Sequence, residues 1–412
     1  MKKYFLLYPD IKLVEGIARN TLYLLGDEKT IHLAKEDSIL LNAMLKNEYT
    51  DVINTFNKDD IMRLQEFLLS NAIGNFYDHP LYSEGYISNR PEFDDLFQSP
   101  LIINTLFIQV DRHSNNVYDK TQQNFKHIFQ GCNSCLNWKE DAYEKKDCLK
   151  DLTLKNIGLL KNITINTAII SGGSPLSDIK FVKRLMDLLH SEHRNIHIEI
   201  ITPPIEAAIV NQLNGYNISF NISVLVDSII EELEYTLFMD MLSNIQNKNI
   251  NINLITTSRK EDNYINIKRK ISCNFNYEIH TTELLNDDDI IYTMPAGSNR
   301  IENTDKTKYF QHQKYHQCLY GKLSIDLNGN IGICPHAIPK LGSLKNNDIL
   351  EILASNKVTE YWHITKNKIE QCKECENRFA CSDCYVMETN NIKSICNYDL
   401  KTGIWNYQEN EE

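Results

Sequence analysis

Over residues 1–78 the apolar positions first alternate and then recur at three- and four-residue spacing. "YFLLYPDIKLVEG", "NTLYLL" and "TIHLA" predict strands, with Gly26-Asp27-Glu28-Lys29 as a turn. "EDSILLNAMLKNE" and "DDIMRLQEFLLSNAIG" predict two helices, the second with acidic residues in its first turn and Gly74 near its end. A few strands followed by helices make a small α+β, winged-helix-like unit. Residues 79–100 carry three prolines and little periodicity, which predicts a linker.

From 101 to 285 the pattern alternates between strand and helix. "LIINTLFIQV", "NTAIISGG", "IHIEIITP", "ISFNISVLV", "NINLITT" and "NYEIHTTEL" predict β-branched, apolar strands. "IKFVKRLMDLLHSE" and "SIIEELEYTLFMDMLSNIQ" predict helices between them. Runs of this kind fit a parallel sheet covered by helices. Six such units make a partial (β/α)6 barrel, whose site lies at the C-terminal ends of its strands. Residues 286–316 are polar and predict an irregular linker. From 317 to 412 the core-forming pattern fades and cysteines dominate.

With 412 residues the chain is long enough for two or three domains. Its net charge of −12, with no basic run, argues against nucleic acid or an anionic membrane as a partner. The N-terminal "MKKYFLLYPDIKL" meets Pro9 too soon for a signal peptide, and the longest apolar runs are about half of what spans a bilayer. A cytoplasmic location is expected. In a reducing compartment the 11 cysteines read as metal ligands or reactive groups rather than as bridges.

Seven of them fall in residues 317–412: Cys318, Cys334, Cys372, Cys375, Cys381, Cys384 and Cys396. One zinc takes four thiolates, usually as two pairs separated by a loop long enough to fold back. Only five residues separate Cys375 from Cys381, and three cysteines are left over. Seven thiolates suit two iron–sulfur clusters. Cys318 and Cys334 flank "YGKLSIDLNGNIGI", a predicted hairpin turning at Asn328-Gly329. A zinc staple holding a tail without a core of its own is the alternative.

The order Cys318, Gly329, Cys334, then Cys372-x2-Cys375-x5-Cys381, resembles the SPASM domain, the auxiliary-cluster extension of radical S-adenosylmethionine (SAM) peptide-modifying enzymes. "GNIGICP", "LGSL" and "CNYDLKTGIW" extend the resemblance, and the wording is similar to the peptide maturases of grasp-with-spasm systems. The resemblance implies one [4Fe–4S] cluster on Cys372, Cys375, Cys381 and Cys396. It implies a second on Cys318, Cys334 and Cys384 with an open or non-cysteine fourth position. The step from Cys381 to Cys384 is one residue shorter than the family pattern.

The same resemblance makes the partial barrel one of radical SAM type, which carries Cys-x3-Cys-x2-Cys after its first strand. "HIFQGCNSCLNW" supplies Cys132 and Cys135, but Ile128 stands at the first position; Cys148 is the substitute for a third cluster with S-adenosylmethionine. "SGGSPL" looks like the family's Gly-Gly-Glu-Pro element, with Gly172 and Gly173 kept and Ser174 in place of glutamate. Either the barrel holds an atypical cluster, or it is degenerate and these cysteines are spectators or a structural metal site. Cys273 reads as a small core residue. His127, His312, His316 and His336 lie near cysteines and are candidates for the missing fourth ligand, since imidazole can replace thiolate. "NDDD" at 286–289 reads as a solvated acidic loop.

The function expected is maturation of a ribosomally made peptide, with the precursor peptide and an ATP-grasp ligase as partners. The N-terminal unit resembles the leader-recognition element of such maturases. The alternatives are a non-catalytic iron–sulfur protein that binds peptide or partner, and a zinc-stapled scaffold.

Overall fold

A computed structural model describes residues 3–79, 102–111, 129–130, 134–135, 149–193, 195–202, 207–225, 249–257, 277–287, 290–294, 301–335, 340–370, 372–381 and 398–405. They fall into two units. One gathers residues 1–99, 297–317 and 364–412; the other gathers 100–296 and 318–363.

In the second unit the six apolar runs form strands β6 (Ile102–Gln109), β9 (Thr164–Ser171), β10 (His197–Thr202), β11 (Phe220–Leu225), β12 (Ile250–Thr257) and β13 (Tyr277–Asp287). They lie side by side in chain order, and every neighbouring pair is parallel. The class is α/β with a mostly parallel sheet. Ile103, Leu106, Phe107, Ile108, Ala168, Ile169 and Ile170 are fully buried, as strands covered on both faces must be. Helix α4 (Lys150–Leu159) follows β6 in the chain, and α5 (Ile179–Glu192) follows β9. Asp178 caps α5 by accepting the Phe181 N–H at 3.1 Å. The helix buries Phe181, Val182, Leu185, Met186 and Leu189, at the spacing that puts side chains on one face.

Beyond β13 the sheet continues through β14 (Ile290–Met294), antiparallel to it, and then β7 (Phe129–Gln130) and β8 (Ser134–Cys135). At the other edge β15 (Lys322–Ile325) pairs in parallel with β6, followed by β16 (Asn330–Gly332) and β17 (Gly342–Ser343). The cysteine-flanked hairpin is therefore an extension of the parallel sheet.

In the first unit β1 (Tyr4–Leu7) pairs with β5 (Gly74–Tyr77), and β2 (Ile11–Val14), β3 (Asn20–Leu24) and β4 (Lys29–Leu33) form a three-stranded antiparallel sheet. Helices α1 (Lys35–Lys46), α2 (Tyr49–Thr55) and α3 (Lys58–Ser70) follow. Asn57 caps α3 by accepting the Asp59 N–H at 2.8 Å. The left-handed residue after α3 is Ala72, at φ 51°, while Gly74 opens β5. Phe5, Leu22, Leu41, Met44, Leu64 and Leu68 sit at the centre of this core. A second core joins Val14, Tyr23 and Leu25 to Tyr309, Phe310, Phe379 and Ala380, from the far end of the chain. Tyr309 and Phe310 lie on the helix Lys306–Lys314. No helix among the described residues is long and apolar enough to cross a membrane.

Candidate metal centre

The segment 372–381 is a series of tight turns. The Cys375 N–H bonds the Cys372 carbonyl at 2.9 Å, and the Ala380 N–H bonds the Asn377 carbonyl at 2.9 Å. Cys381 forms an antiparallel bridge with Ile301. Cys372 and Cys375 are partly buried and Cys381 is buried. The Asn377 N–H lies on the Cys375 sulfur at 3.4 Å, a contact that favours the thiolate over the thiol. Both polar atoms of the Asn377 side chain are buried without a partner among the described residues.

Glu376 lies inside this loop with its side chain fully buried. Its Oε1 accepts the Arg19 Nε–H at 2.9 Å and the Tyr398 hydroxyl. The Arg19 Nε–H also reaches the Tyr398 oxygen at 3.1 Å. Tyr23 donates its hydroxyl to the Glu376 carbonyl at 3.0 Å. Burial first, and the Cys375 sulfur next, hold the Tyr23 phenol well above its usual value, so it remains a donor. Burial and Glu376 raise the Tyr398 phenol likewise. Arg378 ties the same parts together, its Nη1 donating to the Glu15 carbonyl at 2.9 Å and the Cys375 carbonyl at 2.7 Å.

Of the candidate histidines, His312 bonds the Phe379 carbonyl through Nδ1 at 2.6 Å, which fixes its ring against the cysteine loop. Burial pulls its pKa below the ordinary imidazole value. His316 is also buried.

In the other unit Cys318 and Cys334 are both buried, on either side of the β15–β16 hairpin. The turn is longer than an Asn-Gly pair. The Gly329 N–H closes on the Asp326 carbonyl at 2.9 Å, and the Asp326 carboxylate accepts the N–H groups of Asn328 and Asn330 at 2.9 and 2.8 Å. Gly329, at φ 73°, takes the left-handed position.

Gly172 and Gly173 follow β9 at φ 95° and 53°, a bend that few other residues adopt. A Cβ on Gly172 would stand 2.7 Å from Gln109 Cγ and 2.8 Å from the Asp111 carbonyl oxygen. The Ser174 N–H donates to Asp111 Oδ2 at 3.1 Å. Gln109 is buried; its Oε1 accepts the Leu327 N–H at 3.2 Å, and its Nε2 has no partner among the described residues. The glycine turn is thus backed by a carboxylate and a carboxamide at the C-terminal end of β6. Sequence reasoning did not single these two out. The available signal was a polar pair at the end of a long apolar strand.

Among the described residues no three His, Cys, Asp or Glu side chains converge as a ready metal site. Each ligand set implied by the resemblance includes a residue outside the described ones: Cys396 in the first, Cys384 in the second, Cys132 and Cys148 in the third. Of Cys135 only the backbone, in β8, is described. His127, His336, Cys273, residues 80–100 of the expected linker and the helix expected over 228–246 also lie outside them.

Residues 317–376 match the family model of the SPASM domain, an iron–sulfur cluster-binding domain. The donor set fits the group: thiols in tight turns, one already receiving a backbone N–H. No curated protein matches the chain. Among solved structures, Streptococcus suis SuiB bound to S-adenosylmethionine is 14% identical with a TM-score of 0.42, over 93% of this chain and 96% of that one. SuiB bound to its precursor peptide SuiA is 13% identical with a TM-score of 0.43, over 94% and 96%. Scores this low fix neither fold nor chemistry.

Proposed function

We propose that the protein matures a ribosomally synthesised peptide as a SPASM-domain maturase, with an ATP-grasp ligase as its partner in the cytoplasm. The match of residues 317–376 to an iron–sulfur cluster-binding domain is the observation that carries this. Cys372, Cys375, Cys381 and Cys396 hold one [4Fe–4S] cluster, and Cys318, Cys334 and Cys384 hold another. The parallel strands form a partial (β/α)6 barrel of radical SAM type, in which Cys132, Cys135 and Cys148 hold a third. When bound there, S-adenosylmethionine would supply, on one-electron reduction by an added reductant, the radical chemistry for hydrogen abstraction from the peptide, and the SPASM cysteines would hold the clusters that accept the electron the peptide gives up.

The chain's own residues shape that site. Gly172, Gly173 and Ser174 form the turn that would face the cofactor, with Gly172 packed against Gln109 and Asp111. Asp111 holds the Ser174 N–H and so fixes the turn. At the N-terminal unit, β4 is an edge strand of its sheet among the described residues, the edge to which an incoming leader peptide adds.

A second reading is supported by Ser174 and Ile128, which stand where the family carries glutamate and cysteine. In it the barrel is degenerate and the protein presents peptide to the ligase. Iron and sulfide per chain decide between the two, measured on anaerobically purified wild type beside Cys132→Ala/Cys135→Ala. About twelve irons, falling by about four in the variant, support the radical enzyme. About eight in both support the presenting role. No iron, with zinc in its place, overturns both and leaves the zinc scaffold.

A further inference from the structure

Arg19 and Glu376 stand 357 residues apart in the chain and form a part-buried charge pair at the cysteine loop, with the carboxylate fully buried. Arg19 Nε is 2.9 Å from Glu376 Oε1; the two side chains are 26% and 0% exposed. Glu376 directly follows Cys375. Its carboxylate has one oxygen bonded to Arg19 and Tyr398, and the other, Oε2, is buried without a partner among the described residues. The backbone closes over it. A Cβ on Gly16 would lie 2.5 Å from Oε2, and Arg378 straps the Glu15 carbonyl to the Cys375 carbonyl. The loop 15–19, between β2 and β3, is thereby a wall of the metal-binding segment.

A glutamine at 376 would keep the acceptor for Arg19 and Tyr398 without placing a charge in the interior. Buried charges of this kind are costly, and replacing them by neutral groups is often tolerated or stabilising. The charge is therefore not explained by the fixing of the loop. Net charge and hydrogen bonding around a cluster are what set its reduction potential.

We propose that Arg19 and Glu376 set the reduction potential of the iron–sulfur cluster held by the Cys372–Cys381 segment, which makes the N-terminal unit part of the redox centre. This rests on the assignment of a cluster to those cysteines. The sign follows from Coulomb's law. Adding one electron to the cluster is opposed by a nearby negative charge and favoured by a nearby positive one. Arg19→Gln leaves the carboxylate uncompensated and lowers the potential. Glu376→Gln leaves the guanidinium uncompensated and raises it. The double variant returns towards wild type. Arg19→Lys keeps the charge and stays near wild type.

The test is a dithionite titration, followed by electron paramagnetic resonance, of the reconstituted full-length protein and these four variants, with iron counted in each. The signal belonging to this segment is the one lost in Cys372→Ala/Cys375→Ala. Shifts of opposite sign in the two single variants, at unchanged iron content, support the proposal. Shifts of the same sign, or none, overturn it, since a purely structural role gives no sign reversal. If Glu376→Gln fails to fold, Arg19→Gln against Arg19→Lys carries the test, because Arg19 is partly exposed. In that case a lower potential in Arg19→Gln alone supports the proposal, and equal potentials overturn it. If Cys372→Ala/Cys375→Ala loses no iron, the cluster assignment itself fails, which is a separate result.

Discussion

Tyr23 has no solvent exposure and touches two aromatic neighbours, Tyr309 at 5.2 Å and Phe379 at 6.5 Å between ring centroids. Its hydroxyl holds the Glu376 carbonyl. Packing and hydrogen bonding can be separated here. Tyr23→Phe keeps the ring and is expected to cost about 1–2 kcal/mol in urea unfolding, the range for one buried bond with its acceptor left behind. Tyr23→Ala also opens a cavity and is expected to cost about 3–5 kcal/mol. A Tyr23→Phe variant as stable as wild type would mean the hydroxyl contributes nothing. Gly172 makes the second residue-scale case. Its φ of 95° and the nearness of Gln109 and Asp111 leave no place for a methyl group. Gly172→Ala is expected to lower stability by about 1–3 kcal/mol in the same unfolding measurement. A glycine pair closing an apolar strand was visible in the sequence. Glu376 was not, because cysteine spacing says nothing about a carboxylate whose partner is Arg19.

At the scale of elements, the β15–β16 hairpin depends on one buried carboxylate. Asp326 accepts two backbone N–H groups and the Asn330 side-chain amide, the last at 3.0 Å. Asp326→Ala leaves those donors unpaired and is expected to cost about 1.5–3 kcal/mol, read as faster hydrogen exchange at Ser324 and Gly332. No change there would mean the Asn-Gly step alone holds the turn. The end of α5 carries a pH dependence. Burial lowers the pKa of His193 below the ordinary 6.5, against the pull of Glu192 and the Ile163 backbone. The folded state thus prefers the neutral ring. That contribution to stability is complete above the ordinary value and is lost as pH falls below it. Urea midpoints are expected to drop as pH falls below the ordinary 6.5, and less so in His193→Gln. The six parallel strands and α5 were legible because β-branched runs and a 3.6-residue period each leave a strong mark. The short elements were not. β5 has four residues, α2 seven, and β14 lies in a stretch dominated by Asn and Asp. Their places come from pairing and packing with other parts of the chain.

At the scale of the whole molecule, the two ends of the chain share one core. Val14, Tyr23 and Leu25 pack with Tyr309, Phe310, Phe379 and Ala380, and Arg19 neutralises Glu376. Sequence order carries no signal for such contacts, so segments read one after another miss them. The consequence bears on how the N-terminal unit is studied. Were residues 1–78 a detachable peptide-binding module, removing them would leave the metal-binding segment intact. The packing implies otherwise. Deletion strips Phe379 of its aromatic neighbour Tyr23, bares Ala380, and leaves the Glu376 carboxylate without its cation. Uncompensated buried charge and lost apolar burial act in the same direction, and together they cost more than either alone. The truncated protein is expected to hold fewer irons per chain than the full-length form and to show fast hydrogen exchange across residues 372–381. Iron that stays at the full-length value, with the segment still protected, would show that the cysteine loop stands without the N-terminal sheet. A loss of peptide binding on truncation is therefore not evidence of a leader site until iron has been counted in the same sample. The cleaner probe is substitution on the exposed edge of β4, which leaves the shared core untouched.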